Sequence, residues 1–159
     1  MSSSPSIEIV DYQPKHQQVF RELNKAWIET YFIMEKADYK ALDHPDEYIL
    51  KKGGAIIIAL CDNEVAGVCA LIKLNEEKYD YEVAKMAVSP KLQGKGIGYI
   101  LGKGVIGKAK QLKAKSIYLE SNTKLKPAIN LYYKLGFKKV EGLISPYERC
   151  NIQMELLIH

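Results

Sequence analysis

The chain has 159 residues, the size of one compact domain and enough to bury a real hydrophobic core. Its composition, 47% hydrophobic and 26% charged, is that of a globular protein, and no apolar run approaches the roughly 18 residues of a membrane span. A formal net charge of +4 is mild and its lysines are scattered, which favours an anionic small-molecule partner at least as much as nucleic acid.

The start, "MSSSPSIEIV", lacks the basic and then apolar pattern of a secretory signal, so residues 1–6 read as a disordered tail before a single domain at 7–159. Cys61, Cys69 and Cys150 have no metal-ligand spacing and are odd in number. Two of them lie in apolar runs, which suits free thiols in a reducing cytoplasm and no metal site.

In chain order, "IEIVDY" alternates as a first strand. "KHQQVFRELNKAWIETYF" follows Pro14, with Val19, Leu23, Ala26, Trp27, Thr30 and Tyr31 recurring at three and four, which predicts a helix with that face buried. "DHPDEYILKKGG" reads as a second short helix, opened near Asp43 or His44 and stopped by Gly53. Three strands follow, "AIIIALCD", "EVAGVCALIKL" and "YEVAKMAV", joined by "DN" and "NEEKYD", which are short enough for antiparallel hairpins. Beyond a glycine-rich segment and its helix come the strand "SIYLES", the helix "LKPAINLYYKLG" capped by Gly136, and the strands "FKKVEGL" and "NIQMELLI". This order implies an α/β (α+β) fold with a mixed, mostly antiparallel sheet of six or seven strands and helices on both faces.

The segment "LQGKGIGYILGKGVIGKAKQL" holds six of the chain's eleven glycines. Gly102, Gly104 and Gly107 lie inside its helical repeat, where each costs about 1 kcal/mol relative to alanine. A dinucleotide fingerprint fails on spacing, because Tyr99 stands where the third glycine belongs. "GKGVIGKA" imitates a P-loop, but Ala109 replaces the required Ser or Thr and no strand precedes the match. A nest of backbone N–H groups at a helix N-terminus fits instead: Gly94, Gly96 and Gly98 let the main chain approach a pyrophosphate closely, with Lys91 and Lys95 at its rim.

"MAVSPKLQGKGIG" resembles the coenzyme A pyrophosphate loop of the GNAT N-acetyltransferase superfamily, with Gln93, Gly96 and Gly98 at the fixed positions of Q/R-x-x-G-x-G/A. "SNTKLKPAINLYYKLGF" is similar to the family's second signature. The resemblance implies a GNAT-like acyl-CoA acyltransferase fold, with acetyl-CoA as co-substrate held by Met86, Ala87 and Val88 on the strand and by Gln93, Gly94, Lys95, Gly96, Ile97 and Gly98 in the loop. It also implies that Asn122 hydrogen-bonds the pantetheine chain, with a turn or capping role as the alternative, and that Tyr132 lies next to the coenzyme sulfur.

Acetyl transfer to an amine requires a deprotonated nucleophile, yet only about one alkylamine in two thousand is free base at pH 7. Glu82 stands six residues before Val88, a spacing similar to the general-base glutamate of histone-acetylating members of the family. By a period of two it shares a face with Ala84, Met86 and Val88. It is the candidate base, the alternatives being a ligand for the substrate ammonium or a solvated strand end. Tyr132 is the candidate acid that protonates the departing thiolate; Tyr133 points about 100° away around the helix. Trp27, Tyr31 and Arg149 are the expected acceptor-binding residues, with Arg149 able to grip a carboxylate bidentately.

The reading is therefore a cytoplasmic N-acetyltransferase that moves an acetyl group directly to a small-molecule or peptide amine in a ternary complex. It is expected to be a monomer or homodimer, with no nucleic-acid or membrane partner. The rivals are a non-catalytic acyl-CoA-binding regulatory module and a nucleic-acid-binding domain, the latter to be betrayed by steeply salt-dependent binding.

Overall fold

The computed structural model describes residues 6–141 and 144–159. Residues 1–5 of the expected tail, and Gly142 and Leu143 of the expected penultimate strand, lie outside the described residues. The elements run β1 (Ile7–Asp11), α1 (Gln17–Tyr31), α2 (Lys36–Asp43), β2 (Ala55–Cys61), β3 (Glu64–Lys73), β4 (Tyr81–Val88), α3 (Ile97–Gln111), β5 (Ser116–Ser121), α4 (Lys126–Leu135), β6 (Lys138–Val140) and β7 (Ile152–Leu157). They build a seven-stranded sheet of order β1-β2-β3-β4-β5-β7-β6, antiparallel throughout except where β4 meets β5.

The β2–β3 hairpin closes through Asp62 and Asn63, both at positive φ (51° and 68°), the conformation demanded by the tightest hairpin turns. Alternation along β2 divides the core: Ile57, Ala59 and Cys61 face α3 and α4, while Ile56 and Ile58 face α1 and α2. Helices thus cover both faces, as the element order implies. Cys61 and Cys69 are buried free thiols, and Cys150 is a half-buried one. Among the described residues no helix is long and apolar enough to cross a membrane.

Two local expectations are corrected. The second helix begins earlier than "DHPDEYILKKGG": it is α2, whose start is fixed when the Asp38 carboxylate accepts the Glu35 amide at 2.9 Å, an acidic pair unlike the usual Ser/Thr capping signature. Pro45 then forces His44 out of helical geometry, and residues 46–50 form a single wide turn. In α1 the buried face is Phe20, Asn24 and Ile28, while Ala26, Thr30 and Tyr31 are exposed. Asn24 is tolerated there because its Nδ2 donates to the Phe20 carbonyl at 3.0 Å.

The glycines inside α3 have different causes. A Cβ at Gly102 would lie 2.4 Å from a Leu135 methyl, a clash for which the close packing of α3 on α4 leaves no room, and one at Gly104 would lie 3.0 Å from the Ile57 Cδ1 methyl, a tight contact with the sheet. Nothing lies within 4 Å of a Cβ at Gly107, and the structure does not explain that residue.

Candidate active site at the β4–β5 divergence

The parallel pairing of β4 and β5 lasts for two positions, Tyr81 opposite Ile117 and Glu82 opposite Tyr118, after which the strands part. The gap lies at the C-terminal ends of parallel strands, where open α/β sheets take their ligands. It holds a cavity with an empty volume of about 790 Å³ that runs out to solvent. Glu82 through Met86, Glu120 and Ser121 at the end of β5 with Asn122 just beyond it, Trp27 of α1 and Phe32 just past its end, Tyr132 of α4, and Tyr147 and Arg149 before β7 line it.

A bulge in β4 decides which residues face which side. Val68 of β3 pairs with Ala87 and Ala70 pairs with Ala84, so Lys85 and Met86 together oppose Cys69. Lys85 takes φ +55°, a conformation unusual for a non-glycine residue. The extra residue reverses the alternation: Glu82 and Ala84 face the α1–α2 side with Ala87, whereas Met86 and Val88 pack against the α3–α4 core. The expectation that Glu82 shares a face with Met86 and Val88 is thus corrected, since a strict period of two does not survive a bulge.

Glu82 is half-buried at the inner end of the gap, where the strands begin to part. Burial, with the Glu120 charge adding to it and Lys85 partly offsetting it, pushes its carboxyl up to about 8. Tyr132 enters the same cavity from the opposite side of the sheet, its ring edge-on to Phe137 at 6.2 Å. Burial foremost, and then the nearby Cys69 thiol, raise its phenol well above the ordinary range and keep it protonated. A helix-end hydrogen bond from the Phe137 amide to the Tyr132 carbonyl at 3.0 Å, over Gly136 at φ +104°, fixes the end of α4 that carries this tyrosine.

Beyond β4 a short turn leads to the glycine loop. Gly94 and Gly96 take φ +82° and +77°, and nothing lies within 4 Å of where a Cβ would stand on either. The loop is therefore bare backbone facing open space. Gly96 caps α3 with no side chain over its first turn, which leaves the amides of that turn available to an anion. Gln93 and Lys95 are exposed on the loop, Gly98 packs against Leu131 of α4, and the Ile97 side chain belongs to the core, so only its main chain is available to a ligand.

The remaining predicted residues divide. Trp27 lines the cavity; Tyr31 does not, being 49% exposed and leaning on the Trp27 ring at 5.4 Å. Asn122 lines the cavity, but its amide donates to the Arg149 carbonyl at 2.8 Å and accepts from the Lys124 amide at 2.9 Å, which is the turn-holding alternative. Arg149 reaches the cavity with its guanidinium already on Asp38, through contacts of 2.6 and 2.7 Å.

Asp38 was not legible as a functional residue. It is fully buried on α2 and also accepts from Lys85 Nζ at 2.6 Å, while Lys85 donates to the Tyr147 hydroxyl at 3.0 Å. Burial alone would raise the Asp38 carboxyl, but the Arg149 hydrogen bonds and the Lys85 charge outweigh it and hold the group at about 2. Lys85 and Glu120 were missed too, although each is a charge inside a strand, "YEVAKMAV" and "SIYLES".

A splayed parallel pair, a bare glycine loop capping a helix, and a cavity lined by both Glu82 and Tyr132 make up the candidate site. The acetyltransferase (GNAT) family pattern matches residues 16–137, and the chain belongs to that family. It is 34% identical over 110 residues to the uncharacterized N-acetyltransferase YvbK of Bacillus subtilis, covering 69% of this chain and 68% of that protein. It is 28% identical over 145 residues to the spermidine N(1)-acetyltransferase of Escherichia coli, covering 87% and 77%. Among solved structures, yncA of Salmonella typhimurium with its cofactor acetyl-CoA superposes with a TM-score of 0.74 at 17% identity, covering 96% of this chain and 94% of that one.

Proposed function

We propose that this acetyltransferase moves the acetyl group of acetyl-CoA directly to a small-molecule amine within a ternary complex, with Glu82 as general base and Tyr132 as general acid. The observation that carries the reading is that these two side chains, from opposite faces of the sheet, both line the one cavity that lies where β4 and β5 part. The coenzyme in the yncA complex supports acetyl-CoA as donor, and the spermidine-acetylating relative supports an amine acceptor.

The residues suit such a donor. The bare loop at Gly94 and Gly96 and the uncapped first turn of α3 receive the pyrophosphate, with Lys95 alongside. The edge of β4 that leaves β5 supplies free backbone groups around Met86, Ala87 and Val88 for the pantetheine arm, as an added strand would use them. An amide on that edge polarises the thioester carbonyl. Acetyl-CoA brings the activated acyl group and a thiolate leaving group. Glu82 takes the ammonium proton, the amine attacks the carbonyl carbon, and as the C–S bond breaks Tyr132 protonates the departing sulfur, whose ordinary pKa of about 8.5 lies below that of the phenol; the second nitrogen proton, lost as the amide forms, restores the phenol.

The chain is further read as a cytoplasmic protein, monomeric or homodimeric. The test is labelled acetyl-CoA with an amine panel, comparing wild type with Glu82→Gln and Tyr132→Phe. Transfer that falls by about 100-fold or more in each variant, with acetyl-CoA binding retained, is the expected result. Unchanged rates in both variants would refute the assigned roles, and tight binding with no transfer to any amine would return the chain to the binding-module reading.

A further inference from the structure

The charged side chains lining the cavity are Glu82, Lys85, Glu120 and Arg149, two of each sign, but only the cations are paired. Two cations line it, Lys85 and Arg149, and both are committed to Asp38. Glu35 adds a second carboxylate to Arg149 at 3.3 Å. Lys124, the next cation along from Asn122, is held outside the lining by the Tyr31 carbonyl at 3.1 Å and the face of Phe32. The two carboxyl groups left facing the cavity are Glu82 and Glu120, and among the described residues neither has a cation within ion-pairing distance.

Glu120 is also built into place. It lies two residues beyond Tyr118, the residue opposite Glu82, and so projects to the same face of the sheet. Its two oxygens accept from the Tyr118 hydroxyl at 2.7 Å and the Ser145 hydroxyl at 2.8 Å, an arrangement that orients the carboxylate. Trp27, Ile28 and Phe32 supply an apolar wall beside the two acids, suited to the methylenes of an alkyl chain and, through the aromatic faces, to a cation.

We propose that the acceptor is an alkyl amine with a second positive charge, and that Glu120 holds the second charge while the reacting nitrogen lies at Glu82. This assignment rests on the acetyl-transfer reading above. It makes Glu120 a specificity-determining residue and predicts discrimination against acceptors that carry a carboxylate, which would meet Glu120 and find both lining cations already neutralised.

The experiment compares acceptors of equal length that differ only at the far end: α,ω-diamines of three to five carbons, the matching 1-aminoalkanes and the matching ω-amino acids, each with acetyl-CoA. The expected order in kcat/KM is diamine, then monoamine, then amino acid, with a diamine-to-monoamine ratio of about 10 or more. Glu120→Gln keeps the acceptor oxygen for Tyr118 or Ser145 and brings that ratio to about 2 or less. The ratio is measured within one preparation, so partial misfolding of the variant does not alter it.

A wild-type ratio near 1, a preference for the amino acid, or a ratio indifferent to Glu120→Gln overturns the proposal. Calorimetric titration with acetyl-CoA separates the two layers. If acetyl-CoA binds and none of these acceptors is acetylated, the dication assignment falls and the donor site stands; if acetyl-CoA does not bind, both fall.

Discussion

Glu82→Gln keeps the size of the side chain and removes its proton exchange. In the native protein the carboxyl is pushed up to about 8, so about one-tenth of it is ionised at pH 7 and half at about pH 8. If Glu82 draws the proton from a bound ammonium, wild-type kcat/KM for an alkylamine rises about tenfold per pH unit and levels off above about pH 8. The glutamine variant has to capture amine that is already free base, so its kcat/KM keeps rising about tenfold per unit toward the acceptor's own pKa of about 10.4. The wild-type advantage should therefore shrink on the order of 100-fold between pH 8 and pH 10. Thiol release, followed with a chromogenic disulfide across that range, measures it. Parallel profiles with a constant ratio would refute Glu82 as the base and leave it as a binding group.

The same carboxyl gives an independent readout in stability. Because its native pKa lies above the ordinary value near 4.5, the unfolded chain releases this proton first as pH rises. Stability from this group is thus complete below about pH 4.5 and is lost as pH climbs to about 8, at about 1.4 kcal/mol per unit. Glu82→Gln escapes that loss, so its melting temperature should exceed that of wild type by a margin that grows from pH 5 to pH 9.

Tyr132→Phe should lower kcat by about 100-fold or more while leaving acetyl-CoA affinity nearly intact, as measured by single-turnover kinetics beside calorimetric titration. Asp38→Asn removes the carboxylate shared by Lys85 and Arg149 and should cost about 3–5 kcal/mol in denaturant unfolding at pH 7. Because Asp38 is held at about 2 against an ordinary 3.8, its contribution is complete above pH 3.8 and lost as pH falls through 2, so the variant's deficit should narrow over that window. Gly102→Ala drives a methyl onto Leu135 and should destabilise by about 1–3 kcal/mol. Gly107→Ala meets nothing and should stabilise by up to about 1 kcal/mol; thermal unfolding of the pair tests both signs.

Local chemistry made most of the fold readable. The apolar runs "AIIIALCD" and "EVAGVCALIKL" stood out as central strands because both of their faces are buried, and Asp62-Asn63 marked the hairpin between them. The glycine loop was readable because bare backbone leaves a trace in composition. What escaped depended on tertiary partners. The start of α2 is set by an Asp38–Glu35 pair that resembles no common cap. The Lys85 bulge exchanges the faces of β4 through one inserted residue. Arg149 meets Asp38 across 111 positions of sequence, and no pattern within either segment announces that encounter. The buried face of α1 was misjudged because Asn24 occupies an apolar stripe, which rotated Tyr31 out of the predicted pocket.

The brief pairing of β4 with β5 also bears on the mechanics of the molecule. Tyr81–Ile117 and Glu82–Tyr118 form the shortest ladder in the described sheet, so β1 through β4 and β5 through β7 are two panels meeting at a narrow seam. Shear between the panels breaks fewer ladder bonds there than at any other strand boundary. A ligand that lies along the free edge of β4 acts as a missing strand and stitches the panels together. Occupancy of the donor site is therefore expected to stiffen the whole sheet, visible as slower amide exchange along β7, which does not line the cavity.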